Sequence, residues 1–350
     1  MREFREQAKK LSGPRMKLVT KVWDVFYRQW NLEEYMTILA FHEEIGVNFE
    51  VKYEIAKLIE DCGYSWKDPL FARWGTDRTV LDFGELQELV VEAIARVLLA
   101  QGQENRRTQY KALWGRIKEM LDGGEEVTVL SFNWDTLLET TAAADSDPKY
   151  GISTAFVHPG IREEAERTVC LYKPHGSLGF VVCEGKKCSN GKFGLSNWPK
   201  IHEHYGTERL VAPECVECGE SGQFLIVPPY ISKQLPKRFA DPQRNQKLRD
   251  WYNHTWINTY FRFREADRII SLGYSWPPGD HSVRFQMGQA FALRRRNHEK
   301  PPAVDLVLKE PGPEPSTFAA ELARRLEDAI GQAGTVKLHL DGVKTFADEA

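Results

Sequence analysis

Three stretches of the chain place polar, reactive side chains directly after short apolar runs. In Val127–Glu139 (VTVLSFNWDTLLE) the run Val127–Leu130 gives way to Ser131, Asn133 and Asp135. In Leu171–Leu178 (LYKPHGSL) an apolar run reaches Pro174 and then His175-Gly176. Arg268–Asp280 (RIISLGYSWPPGD) has the same form and carries Gly273, Tyr274, Ser275 and Asp280. Amides, carboxylates and hydroxyls can orient a sugar, and a neutral imidazole near pH 7 is suited to taking a proton from a hydroxyl or a water. Each residue also has an ordinary reading. Asn133 suits a helix N-cap worth about 1 kcal/mol, Asp135 suits the first turn of a helix, and a lone histidine is well explained as a core side chain bonded to backbone. Asp280 either accepts from a sugar hydroxyl or caps the helix that begins near His281.

The elements around these groups decide between the readings. Val127–Leu130 is β-branched and too short for a helix, so it reads as a buried parallel strand. Ligands of open α/β sheets bind just outside the carboxyl ends of the strands. Three such ends carrying Asn/Asp, His and Gly/Ser therefore imply one shared crevice, with Gly176 letting a ligand approach the backbone. Val169–Lys173 reads as the strand leading to the histidine, and Thr154–Val157 as a further short strand. Phe224–Val227 reads as a return to the sheet. Helix 248–264, strand 268–272, a helix near 283–295, strand 303–308, helix 317–330 and strand 336–340 follow. This alternation argues for a parallel, doubly wound sheet. Upstream, Leu86–Leu99 and Tyr110–Leu121 are amphipathic helices, so residues 1–121 form a mainly helical region beside an α/β domain spanning 122–350. Its aromatics (Trp23, Phe26, Tyr27, Trp30, Tyr35) read as core.

Four of six cysteines cluster as C-x4-C and C-x2-C: Cys183, Cys188, Cys215 and Cys218. They lie in a segment, about 181–223, rich in Gly, Ser, Asn and Lys and poor in large apolar residues. Such a segment cannot hold itself together by burial, which favours a structural Zn2+ in a closed tetrahedron of thiolates. His202 and His204 are spare ligands, whereas Cys62 and Cys170 read as small buried hydrophobes. At 350 residues the chain can bury roughly three quarters of its unfolded surface. Hydrophobic content of 42%, charged content of 28% and net charge −3 are those of a globular protein, with no electrostatic argument for nucleic acid or anionic membrane. No apolar run approaches the ~20 residues of a membrane span, and residues 1–10 lack a signal-peptide core, so a cytoplasmic location is expected.

Taken in order, these motifs resemble the sirtuin-like superfamily, and its prokaryotic branch more closely than the histone deacylases. SFNWD stands for a T-x-N-x-D-type element, KPHGS for K-x-H-G-S, IISLGYSWPPGD for G-Y-S-x-P-x-x-D, and IVPPYISK (226–233) for an intervening P-P-x-x-x-K run. The resemblance spans roughly Asp122 to Asp280. It implies a Rossmann-type fold and NAD+ as substrate, with His175 as general base and Asn133 and Asp135 serving the nicotinamide ribose. Ser131, Gly176, Gly273, Tyr274, Ser275 and Asp280 would contact the cofactor, and Lys233 is either a phosphate contact or a surface lysine. It implies hydrolysis of NAD+ to nicotinamide and ADP-ribose, as in NAD-depleting antiphage effectors that are oligomeric or governed by a partner protein. Protein-lysine deacylation or ADP-ribosyl transfer, and an inactive nucleotide-binding or structural module, are the alternatives. One departure stands out. No G-x-G occurs in the chain, so either the sequence begins after the phosphate-binding strand or the phosphate site is built differently.

Overall fold

The structure, a computed structural model, describes residues 14–26, 36, 83–100, 104–153, 165–183, 193–195, 215, 218–220, 222–227, 246–274, 276, 280–309, 315–331 and 336–348. The fold is mixed α/β. Helices α1 (Pro14–Phe26), α2 (Phe83–Ala100) and α3 (Glu104–Asp122) come first. Strand β1 (Thr128–Leu130), helix α4 (Leu137–Ala143), strand β2 (Tyr150–Ser153) and strand β3 (Arg167–Tyr172) follow. These strands form a parallel sheet ordered β1-β3-β2, with Thr128 opposite Cys170 and Tyr150 opposite Arg167. The second strand lies at 150–153; the expected one at 154–157 lies outside the described residues.

Only Lys173, Pro174 and His175 separate β3 from strand β4 (Gly176–Cys183). A parallel crossover needs a dozen or more residues, so β4 cannot continue the parallel order of that sheet. It pairs antiparallel with strand β5 (Phe193–Leu195) and with strand β6 (Gly222–Ile226), with a bulge between Ser177 and Val181. The expected return of Phe224–Val227 to the parallel sheet is thus corrected, because its partner is β4 in a separate small sheet.

The remainder alternates as the sequence predicts. Helix α5 (Gln246–Glu265), strand β7 (Arg268–Leu272), helix α6 (His281–Arg296), strand β8 (Ala303–Val307), helix α7 (Thr317–Ile330) and strand β9 (Val336–His339) precede a last helix, α8 (Gly342–Asp348). Strands β7-β8-β9 are all parallel. Among the described residues the parallel strands form two three-stranded sheets rather than the single sheet expected.

Two apolar cores flank β1. Val127 and Val129 pack with Trp114, Ile117, Leu138, Val169 and Leu171, whereas Leu130 and Phe132 pack with the larger core of α5, α6, α7 and the third sheet. This is the two-residue alternation of a strand. It also means that β1 is half-buried rather than buried. Helix α7 shows how locally the C-terminal half is specified. Ala319, Leu322, Ala323, Leu326 and Ile330 bury one stripe, Ser316 Oγ accepts from the Ala319 N–H, and Gly331 ends the helix at φ 76°. Trp23 is buried as expected, while Tyr27, Trp30 and Tyr35 lie outside the described residues. No helix among the described residues is long and apolar enough to cross a membrane.

Candidate functional site

After Leu130 the chain keeps its sheet bonding for one residue, because the Ser131 N–H donates to the Tyr172 carbonyl (2.9 Å). It then turns through Phe132–Thr136. Asp135 Oδ1 accepts from the Leu137 N–H (3.0 Å), one residue ahead of Thr136, the N-cap of α4, which makes no side-chain cap bond, while Asn133 is exposed.

The turn is fastened to the next motif by Lys173, a lysine only 2% exposed. Its Nζ donates to the Asp135 carbonyl, to Glu139 Oε1 (2.7 Å) and to Ser177 Oγ (3.0 Å), which uses the three donors of an ammonium. The Leu178 N–H donates to the Trp134 carbonyl (2.8 Å) and adds a second tie. A charged residue closing an apolar run just before Pro174 was the only sequence signal for this role.

His175 occupies the turn between β3 and β4 and is 4% exposed. The glycine after it is there for packing. Gly176 has φ 74°, and a Cβ on it would lie 2.0 Å from the Leu225 carbonyl oxygen, so its close neighbour is strand β6. That corrects the expectation that Gly176 opens the backbone to a ligand. The imidazole lies among rings, with centroids 5.4 Å from Phe132 and 6.1 Å from Trp256. Its Nε2 lies 3.5 Å from Asp280 Oδ2, within ion-pair distance yet with no hydrogen-bond partner among the described residues.

Asp280 is the N-cap of α6, where its Oδ1 accepts from the Val283 N–H (3.4 Å). The Tyr274 hydroxyl donates to Oδ2. Burial pushes the Asp280 carboxyl upward, but the His175 ring, the Tyr274 hydroxyl and the Val283 N–H outweigh it and hold the group below the usual carboxylate range. Tyr274 in turn stacks on Phe132, with centroids 4.7 Å apart, and meets Trp276 edge-on at 4.9 Å. Trp276 is 5% exposed and held at φ 47°, a strained conformation for a bulky side chain, with its Nε1 donating to Ser271 Oγ (3.1 Å).

A cavity of about 360 Å3 opens over this turn, within the range of small-molecule sites. Its floor is Phe132, Asn133, Trp134, Asp135 and His175; its roof is Leu98 of α2 with Gln109 and Tyr110 of α3. Three expected site residues, Asn133, Asp135 and His175, therefore line one cavity. Ser131 lies half-buried in the strand extension, and Gly273 is exposed at φ 61° with open space around it. Neither lines the cavity. Tyr274 and Asp280 do not line the cavity; Asp280 lies beside the histidine ring and Tyr274 donates to Asp280. Ser275 and Lys233 lie outside the described residues. The roof was not legible, because nothing in the spacing of Leu98, Gln109 or Tyr110 connects them to motifs downstream.

At the far end of β4 the sulfurs of Cys183, Cys215 and Cys218 lie within 4.8 Å of one another, with Cys183 and Cys218 at 3.3 Å. A tetrahedral zinc with bonds of about 2.3 Å holds its sulfurs roughly 3.8 Å apart, so the donor set fits such an ion. A tight turn presents two of them: the Gly219 N–H donates to the Cys215 carbonyl (2.8 Å) and the Cys215 N–H to the Glu220 carbonyl (2.9 Å). Cys188, the expected fourth ligand, and the spare ligands His202 and His204 lie outside the described residues, as does Cys62. Cys170 is free and half-buried. No protein-family model, no curated protein and no solved structure matches the chain.

Proposed function

We propose that the protein hydrolyses NAD+ to nicotinamide and ADP-ribose in the cavity between the β1 turn and α3. The observation that carries this reading is the convergence of Asn133, Asp135 and His175, from two separate strand ends, on one cavity. In the reaction the bond between the nicotinamide nitrogen and the ribose C1′ breaks, its electron pair leaves with nicotinamide, and a water oxygen bonds to C1′. The His175 imidazole takes the proton released by that water, directly or through a ribose hydroxyl. Asn133 orients the ribose or the water, and the Asp135 carboxylate favours the positive charge developing on the sugar. The buried Nε1 of Trp134, which lines the cavity and has no hydrogen-bond partner among the described residues, is a donor that a bound ligand could satisfy.

The three clustered cysteines would hold a structural zinc, with Cys188 as fourth ligand. They also favour a second reading, NAD+-dependent deacylation or ADP-ribosylation of a protein, because within the sirtuin-like superfamily that these motifs resemble it is the deacylase branch that carries a zinc module after the histidine strand. A role in antiphage defence, with control by oligomerisation or a partner protein, rests on the same resemblance alone.

The test is to incubate the protein with NAD+ beside His175→Ala and Asn133→Ala. We expect peptide-independent nicotinamide release from the parent and a loss of about 10²–10⁴-fold in His175→Ala. Equal rates in all three would remove the catalytic assignment. Release that requires an acetylated peptide would select the deacylase. Binding of NAD+ without turnover would leave a sensor.

A further inference from the structure

We propose that Asp280 is the positioning residue of His175: its carboxylate selects the tautomer protonated at Nε2 and leaves Nδ1 as the basic nitrogen. The inference rests on the glycohydrolase reading for the reaction, but the pairing is a property of the fold. Nε2 lies 3.5 Å from Asp280 Oδ2, and the two side chains are 5% and 1% exposed. Among the described residues Nε2 makes no hydrogen bond by geometry, and the Asp280 carboxylate is the ion-pair partner within reach of it. A ring nitrogen facing a buried carboxylate is the one that carries the proton, since two lone pairs would otherwise oppose each other.

The carboxylate is itself held. The Tyr274 hydroxyl donates to Oδ2 and the Val283 N–H to Oδ1, so it cannot swing away from the ring without losing both. Asp280 also sits at the start of the 16-residue helix α6, where the dipole favours an anion. The other groups that bear on the pair support the assignment. Tyr252 of α5, which feels the Asp280 charge, is pushed up to about 12 by burial and stays neutral near pH 7. Tyr274, from the loop after β7, is engaged as a donor, and Asp135 faces the cavity. Phe132 and Trp256 supply uncharged walls. In the reaction, Nδ1 takes the proton released by the attacking water. The resulting imidazolium is neutralised by Asp280 and then returns its proton to solvent. The sequence suggested a sugar contact or a helix cap for Asp280; the fold keeps the cap and turns the other oxygen to the histidine.

The experiment uses Asp280→Asn and Asp280→Ser in the full chain. Asn and Ser both serve at an N-cap, so α6 keeps its start while the carboxylate is lost. With 15N-labelled histidine, the ring signals of His175, identified by their loss in His175→Ala, report the tautomer. We expect the Nε2–H form in the parent and a shift towards Nδ1–H in Asp280→Asn, whose amide can donate to Nε2. Nicotinamide release should fall about 10²–10⁴-fold in kcat with KM little changed. Asp280→Glu should keep part of the rate that Asp280→Asn loses. A parent in the Nδ1–H form, or an unchanged tautomer in both variants, overturns the inference. A parent that shows the Nε2–H form but releases no nicotinamide rejects the glycohydrolase reading and leaves the pairing standing.

Discussion

At its first residue β4 adjoins a histidine enclosed by aromatic rings and a buried carboxylate. At its last it ends in a thiol whose near neighbours are Val181, Cys215 and Cys218. The histidine end draws on the large core of α5–α7 and on a lysine that satisfies three acceptors. At the cysteine end Val181, Val182 and Phe224 are buried as well, and three thiols from two segments gather within 4.8 Å of one another. One region is held by packing and hydrogen bonds, and to the other the proposed zinc would add coordination. The contrast teaches that one strand can carry two stabilising principles, each failing under a different insult.

Removing metal should separate the two ends most sharply. We expect about one zinc per chain, absent in Cys215→Ser, and chelation should unprotect the β4–β6 amides to hydrogen exchange while α7 stays protected. A metal-free preparation with full β4–β6 protection would erase the distinction. At the other end, Lys173→Met strands the Asp135 carbonyl and the Glu139 carboxylate. It should lower stability by about 3–5 kcal/mol, as for breaking other buried pairs, read from the urea midpoint. A change below about 1 kcal/mol, the scale of an exposed pair, would show that the turn is held by packing alone.

Two glycines sharpen the comparison further. Gly176→Ala puts a Cβ into the Leu225 backbone and should be the more damaging, by about 3 kcal/mol or more. Gly273→Ala meets open space and suffers only its left-handed backbone, about 1 kcal/mol. The smallest effect is that of acid. Lys118 and the Asp147 and Trp114 N–H groups hold Asp145 low against burial; at Asp305 burial raises the carboxyl, and His339 and Arg268 outweigh it. Both, like Asp280, are depressed in the folded state. Their stabilisation is therefore complete above the unfolded value of about 3.9 and lost as pH falls through the lower folded values. The urea midpoint should be insensitive to these groups from neutral pH down to about 4 and decline below it.

Legibility followed the range of the interactions. Strand 268–272 and helix 317–330 are observed at the limits predicted, since alternation, a serine cap and a terminal glycine are local signals. The positions of Asn133 and His175 at strand ends were legible for the same reason. The Lys173–His175 link is too short for a parallel crossover, yet nothing in it or in the run 224–227 marks the antiparallel pairing of β4 with β6. Helix α8 went unseen because its seven residues (GVKTFAD) bury little beyond Phe346. Asp280's attachment to His175 and the roof of Leu98 and Tyr110 depend on contacts far apart in sequence, which no local pattern encodes.

Strand β1 works as a party wall. Its odd-numbered valines belong to one apolar room, and Leu130 and Phe132 to the other. A slip of one place against β3 would exchange the rooms, lifting Phe132 off Tyr274 and His175 and driving Asn133 inward. The pairing of Thr128 with Cys170 and Leu130 with Tyr172 thus also decides which side chains look out upon the cavity.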